Sequence, residues 1–198
     1  MEEVKRIYLT IDDLTGVYAI SCVDQPATEQ LMEYFNKVEI MKFEKLDEEK
    51  RLIAGVIMRP EIWIDRINKE TKERYQVAFS KDTIEKIGQK YMMDKNNNNV
   101  TIDHKYTVDN ISLVETWFVD NPELDKSKSL NISTLNGDWF GIMKVNNDVV
   151  WNDFIKTGLV KGYSVEGMFI QEHFNKIFTE DELLLEKLKD LLSKVDYL

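Results

Sequence analysis

The sequence predicts an α+β fold, with one domain of mostly antiparallel strands flanked by helices and a further helix at the C-terminal end. Short apolar runs separated by charged turns fill the first half of the chain. After Ser80 the apolar period changes from two to about 3.6, and a leucine-lined helical pattern occupies the tail. A chain of 198 residues suffices for one buried core. We therefore expect a domain at residues 1–178 and an appended amphipathic helix at residues 179–198.

The predicted strands are short and apolar, and charged or turn-forming residues bound them. Asp47-Glu48-Glu49-Lys50 and the polar segment 68–73 each separate two apolar runs, which indicates hairpins. The strands are expected at 17–23, 38–46, 52–58, 62–64, 75–79, 100–102, 111–119, 139–145 and 160–170.

Helices are predicted where a capping residue precedes apolar residues at helical spacing. Ser80 begins the clearest one, which has Ile84, Ile87 and Tyr91 on one face and ends near Met93. Shorter helices are expected at 28–35 and at 148–158, the latter ending at Gly158. The tail helix begins at the capping box of Thr179 to Glu182 and is expected to pack on the domain rather than on a partner.

Composition excludes several classes of protein. Apolar residues make up 43% and charged residues 31%, which is typical of a globular chain. The formal net charge of -10 argues against a protein that coats nucleic acid. No apolar stretch is long enough to cross a bilayer, so we expect a soluble, cytoplasmic protein. With one cysteine and two histidines, neither a disulfide, a metal site nor a cofactor is expected.

Two segments could supply the base and the nucleophile of a hydrolase. A serine hydroxyl needs a neighbouring base, and His104, which ends an apolar run, is a better candidate than His173 in its polar stretch. Ser164 lies in a predicted strand between Gly162 and Gly167, which permit close approach of a substrate or, alternatively, mark a bulge or a tight strand crossing. The glycine spacing is not that of the G-x-S-x-G elbow, which argues against an α/β-hydrolase.

A carboxylate that orients the histidine is harder to choose. Glu115 interrupts an apolar strand, where a buried carboxylate requires a partner. Alternatively, Glu115 faces outward into solvent and needs no partner. Asp103 adjoins His104, but adjacent strand residues point to opposite faces. Cys22 lies in an apolar run and is interpreted as a buried, inert thiol rather than a nucleophile.

An ordered series of motifs resembles the prohead maturation proteases of tailed bacteriophages. The resemblance covers about residues 50–170 and includes the segment 75–80, which lies upstream of the motifs. Its motifs are Thr101-Ile102-Asp103-His104, the strand 111–119, Gly137-Asp138-Trp139-Phe140-Gly141, Val150-Trp151, and Lys161-Gly162-Tyr163-Ser164-Val165-Glu166-Gly167.

The resemblance implies a β-barrel-like core related in fold to the herpesvirus assemblin proteases. It makes Ser164 the nucleophile and His104 the general base. In similar proteins the orienting group comes from a segment that ends in Pro-Ala; here that segment is 19–27, at the N-terminal end, and Ala19 occupies the ionisable position. Glu115 matches an acidic residue that recurs after the histidine in similar proteins, so the orienting role is assigned to it.

The resemblance also implies partners and a place of action. The substrates would be the phage scaffold and major capsid proteins, cleaved inside the assembling procapsid in the host cytoplasm without a cofactor. A homodimer is expected by analogy with the herpesvirus enzymes. Two alternatives stay open: a non-catalytic capsid-assembly or scaffold component, and a barrel that binds single-stranded nucleic acid through its tryptophans, which the acidic charge disfavours.

Overall fold

The computed structural model describes residues 5–24, 44–47, 49–68 and 70–171, and in these ranges the chain is mostly β-structure. The strands are β1 (Lys5–Thr10), β2 (Gly16–Val23), β3 (Glu44–Asp47), β4 (Leu52–Met58), β5 (Ile64–Ile67), β6 (Arg74–Phe79), β7 (Val100–Ile102), β8 (Tyr106–Val108), β9 (Ile111–Phe118), β10 (Trp139–Val145), β11 (Gly162–Met168) and β12 (Ile170–Gln171). The helices are α1 (Lys81–Met93), α2 (Lys126–Ser129), a 3₁₀ turn (Asn96–Asn98) and a π-helix (Val150–Ile155). Each helix in these ranges is too short or too polar to cross a bilayer.

The described strands form three four-stranded sheets. The β1 sheet has the order β12-β1-β6-β5, the β10 sheet has the order β3-β4-β10-β9, and the β2 sheet has the order β11-β2-β7-β8. Two pairings are parallel, β1 with β6 and β2 with β7, and the others are antiparallel. Among the described residues none of these sheets closes on itself. The predicted barrel-like core is therefore wrong, and the fold is mostly β rather than α+β.

Strands β4 and β10 are buried on both faces, which explains why they are continuous apolar runs rather than alternating ones. Trp139 and Met143 belong to the main core, which also contains residues of the β2 sheet and of α1. Phe140 and Ile142 point the other way and form a second cluster. The Tyr163 hydroxyl donates to the Ile53 carbonyl oxygen at 3.1 Å, which links the β2 sheet to β4.

Helix α1 matches its prediction closely. The Ser80 Oγ accepts from the Thr83 N–H at 3.2 Å, so Ser80 is the N-cap. Ile84, Ile87 and Tyr91 are buried on the face that their spacing predicted. This prediction is confirmed because capping and periodicity are local signals that the rest of the fold does not oppose.

The other helix predictions have different outcomes. The predicted helix at 148–158 is shorter, and it has π-helical hydrogen bonding over Val150–Ile155. Its Lys156 N–H donates to the Trp151 carbonyl oxygen at 2.9 Å, five residues earlier. The predicted helices at 28–35 and 179–198 lie outside the described residues.

A buried ion pair anchors the start of β10. The Arg59 guanidinium makes a two-pronged contact with Asp138, with Nε to Oδ1 at 2.9 Å and Nη2 to Oδ2 at 2.7 Å. The Asp138 side chain is 0% exposed and also accepts from the Leu135 N–H at 2.8 Å. Asp138 thus holds the turn before β10 and the end of β4 together, which gives this residue of the 137–141 motif a structural role.

Replacement of Asp138 should destabilise the fold strongly. Asp138→Asn removes a buried carboxylate charge that pairs with Arg59, and we expect a loss of about 3–5 kcal/mol in the free energy of unfolding. Urea unfolding followed by circular dichroism measures it. Glu115→Gln is the control, because it breaks an ion pair that is nearly half exposed and should cost at most about 1 kcal/mol. Equal losses for the two variants would contradict the structural role of Asp138.

Candidate active site

The candidate site lies on one face of the β2 sheet, where strand register brings three hydroxyl-bearing residues into line. Ser164 on β11 is the cross-strand partner of Ser21 on β2. Ser21 is in turn the partner of Thr101 on β7. Cross-strand partners point to the same face of a sheet, so the three side chains share one face. The apolar partners on the opposite face, Ile20 and Tyr163 among them, lie in the main core.

His104 lies in the tight turn that joins β7 to β8. Asp103 and His104 have φ values of 48° and 56°, and the Lys105 N–H donates to the Ile102 carbonyl oxygen at 3.0 Å. Two consecutive positive φ values are the mark of a hairpin turn of the type I′ class, which Asp and His tolerate better than most residues. The strand prediction for 100–102 is confirmed, but Asp103 and His104 belong to the turn, so the argument from opposite strand faces is wrong.

Strand β2 accepts hydrogen bonds from two successive N–H groups of this turn. The Asp103 N–H donates to the Cys22 carbonyl oxygen at 3.1 Å. The His104 N–H donates to the Ser21 hydroxyl oxygen at 3.0 Å. The position of the histidine therefore depends on β2, and Ser21 has Ser164 on one side and the backbone of His104 on the other.

Glu166 provides the carboxylate nearest to His104. Its Oε1 lies 3.2 Å from the His104 Nδ1, which is within ion-pair distance. The same oxygen accepts a hydrogen bond from the Thr101 hydroxyl. The Glu166 side chain is 18% exposed and that of His104 is 40% exposed, so the pair lies at the border between the protein and solvent.

Alternation along β11 explains why Glu166 faces the histidine. Residues two apart on a strand point to the same face, so Ser164 and Glu166 both do so. The cross-strand partner of Glu166 is Ala19. Because alanine is small, the longer glutamate side chain can extend over β2 to Thr101 on β7.

The contact at Nδ1 defines what the imidazole can do. A carboxylate beside Nδ1 favours the tautomer that carries its proton there, which leaves the Nε2 lone pair able to accept a proton. The carboxylate would also stabilise the imidazolium formed by that transfer. A histidine in this arrangement can act as a general base.

Ser164 is 5% exposed, and its hydroxyl makes no hydrogen bond with any side chain of the described residues. Catalytic hydrogen bonds are often long in the absence of substrate and tighten when it binds. The register places Ser164 next to Ser21, whose hydroxyl oxygen contacts His104. Nucleophile and base candidates thus share one neighbour.

Gly167 is explained by the backbone. A register shift lies between Glu166 and Gly167, and a Cβ at Gly167 would lie 2.6 Å from the Gly16 carbonyl oxygen. Gly167 therefore marks a bulge and a close approach of two strands, which is the second of the two explanations that its sequence position allows.

Glu115 lies in a different place. It belongs to β9 in the β10 sheet, and its carboxylate oxygens lie 2.5 and 2.6 Å from the Lys126 Nζ. No contact among the described residues joins Glu115 to His104. The orienting role of Glu115 stays a prediction, whereas the contacts place Glu166 at the histidine.

Three residues of this cluster were missed in the sequence: Ser21, Thr101 and Glu166. The period of two along 160–170 could have shown that Glu166 shares a face with Ser164. No comparable signal existed for Ser21, because its contact with His104 depends on a parallel pairing of β2 with β7 that the local sequence does not indicate.

No group of three or more possible metal ligands occurs among the described side chains. The single cysteine, Cys22, is fully buried in the main core. Burial, together with the nearby Asp103 carboxylate, raises the pKa of the Cys22 thiol to about 12. The interpretation of Cys22 as a buried thiol is confirmed.

The structure defines a mostly-β protein in which Ser164 and Glu166 share one sheet face and Glu166 contacts His104. A serine, a histidine and a carboxylate are the residue types that serine hydrolases combine. The chain belongs to the family described as "Putative phage serine protease XkdF", whose model matches residues 37–172. No curated protein and no solved structure matches the chain. The resemblance to a phage serine protease family is thereby confirmed at the level of the family.

Cys22 should not react while the protein is folded. The thiolate is the reactive form, and with a pKa of about 12 only about 1 in 10,000 thiols is ionised at pH 8. We expect no reaction of the native protein with Ellman's reagent at pH 8, and complete reaction within minutes in guanidinium chloride, where the pKa returns to about 8.5. Rapid stoichiometric labelling of the native chain would contradict the burial of this thiol.

Proposed function

We propose that this protein is a serine endopeptidase of phage procapsid maturation, with Ser164 as the nucleophile and His104 as the general base. Glu166 is the residue that orients the base. The observation that carries the proposal is the contact of 3.2 Å between the Glu166 Oε1 and the His104 Nδ1, on the sheet face that also presents Ser164. Membership of a family of phage serine proteases supports the reaction class.

The first half of the reaction forms an acyl-enzyme. The Ser164 Oγ attacks the scissile carbonyl carbon while the His104 Nε2 takes the hydroxyl proton. The resulting imidazolium is stabilised by the Glu166 carboxylate at Nδ1. As the tetrahedral intermediate collapses, His104 gives its proton to the leaving amine and the C–N bond breaks.

The second half uses water. His104 removes a proton from a water molecule that attacks the acyl carbon, and then returns this proton to the Ser164 oxygen. Backbone N–H groups near β11 stabilise the negative oxygen in both halves. The residues named so far therefore account for every proton transferred.

The proposed substrates are the scaffold and major capsid proteins, cleaved inside the procapsid in the host cytoplasm. The order of motifs from Thr101 to Gly167 supports this narrower role, because it resembles prohead maturation proteases in particular. The net charge of -10 is compatible with a protein enclosed with scaffold rather than bound to DNA.

Loss of the Ser164 hydroxyl should abolish cleavage. We expect Ser164→Ala to leave coexpressed scaffold and capsid proteins at full mass, and to remove labelling by a fluorophosphonate probe. Intact-protein mass spectrometry measures both. Ser112→Ala is the matched control, because Ser112 lies on β9 in the β10 sheet. Unchanged processing by Ser164→Ala would reject the nucleophile assignment and favour a non-catalytic assembly component.

The two carboxylate assignments make opposite predictions. Glu166→Gln keeps an acceptor for the Thr101 hydroxyl but removes the charge beside His104, so kcat should fall by about 100-fold or more. Glu115→Gln removes a charge that faces Lys126 and should leave kcat within about twofold. Single-turnover cleavage of a scaffold peptide measures both variants. The reverse pattern would return the orienting role to Glu115.

A further inference from the structure

Ser21 is a buried polar residue for which the reaction as described gives no role. It is 0% exposed, and its hydroxyl makes two contacts with the β7 hairpin. The Ser21 Oγ accepts a hydrogen bond from the His104 N–H at 3.0 Å and donates one to the Thr101 carbonyl oxygen at 3.4 Å. The hydroxyl therefore joins the end of β7 to the turn that follows it.

Strand β2 lies outside the range that the family model matches, which begins at residue 37. The strand nevertheless lies between the strand that carries Ser164 and the strand that leads to His104. A residue of β2 that bonds the histidine backbone is well placed to set the distance between nucleophile and base.

We propose that Ser21 is a positioning residue for His104. The inference rests on the proposed function and extends it by naming what holds the base. Asp103 and His104 both have positive φ, a conformation that costs energy for residues other than glycine and persists where its surroundings support it. The Ser21 hydroxyl oxygen supports this conformation by accepting a hydrogen bond from the His104 N–H. One residue earlier, the Cys22 carbonyl oxygen does so by accepting a hydrogen bond from the Asp103 N–H.

The consequence of this bond is a fixed place for the imidazole. The ring must keep Nδ1 at Glu166 and present Nε2 to the Ser164 side. Without the Ser21 hydroxyl, the turn loses the acceptor for the His104 N–H, and the ring moves relative to both partners. A misplacement of about 1 Å is enough to reduce a rate by about 100-fold.

The experiment compares full-length Ser21→Ala with the wild-type chain by kinetics and by NMR. We expect kcat for a scaffold peptide to fall by about 10- to 100-fold with KM unchanged. We also expect the ring nitrogen resonances of His104 to shift. The chain has two histidines, so His173 is the internal reference. Ser21→Cys, nearly the same size with a weaker acceptor, should give values between those of the other two chains.

Ser127→Ala is the matched control. Ser127 is also 0% exposed, and its hydroxyl contacts the Thr134 hydroxyl at 2.9 Å, away from the β2 sheet. It should lose some stability without a change in kcat or in the His104 resonances. Thermal melts show which variants are folded, and if Ser21→Ala does not fold, Ser21→Cys decides the question.

The outcomes separate this inference from the proposed function. A folded Ser21 variant with wild-type kcat, or with unchanged His104 resonances, would overturn the positioning role. If the wild-type chain cleaves nothing and no probe labels Ser164, the proposed function fails. In that case the NMR comparison still shows whether Ser21 sets the position of the His104 ring.

Discussion

The candidate site depends on the pairing of β2 between β11 and β7. Strand β2 runs antiparallel to β11 and parallel to β7, and the two registers place Ser21 between Ser164 and Thr101. A slip of one residue in either pairing would turn a whole strand over and move its site residue to the opposite face. The proposed nucleophile and the proposed base come from distant parts of the chain, and β2 is the element that lies between their strands.

The apolar half of the same strands fixes that register. Ile20 and Cys22 on β2 pack in the main core with Tyr163 of β11 and Val100 of β7. Because side chains alternate, burying these residues obliges the residues between them to occupy the other face. The position of the polar cluster is therefore a consequence of hydrophobic packing, and the hydroxyls and the carboxylate add precision to an arrangement that the core has already set.

Local features of this protein could be predicted from the sequence, and long-range ones could not. The limits of α1 follow from the Ser80 cap and from apolar spacing, and β4, β10 and β11 follow from their apolar content and alternation. The barrel-like core, which the resemblance implies, is wrong, and strand composition alone does not determine which strands pair or whether a sheet closes. Glu115 is predicted from its place in the sequence. In the structure it lies in the β10 sheet, apart from the β2 sheet, and its partner is Lys126. The parallel pairing of β2 with β7 has no local signature, so the contact of Ser21 with the His104 N–H could not be predicted.

The site also shows why the orienting group cannot be assigned from motif order alone. The resemblance places an ionisable residue at Ala19, in the segment that ends in Pro-Ala. The structure makes Ala19 the cross-strand partner of Glu166. The carboxylate that approaches His104 therefore comes from the strand adjacent to the expected one, at the same level of the sheet. The two observations are connected, because a larger side chain at residue 19 would occupy the space that Glu166 crosses to reach Thr101. The small residue on β2 and the acidic residue on β11 thus form one arrangement, in which the proposed nucleophile and the carboxylate that contacts the proposed base share a single strand.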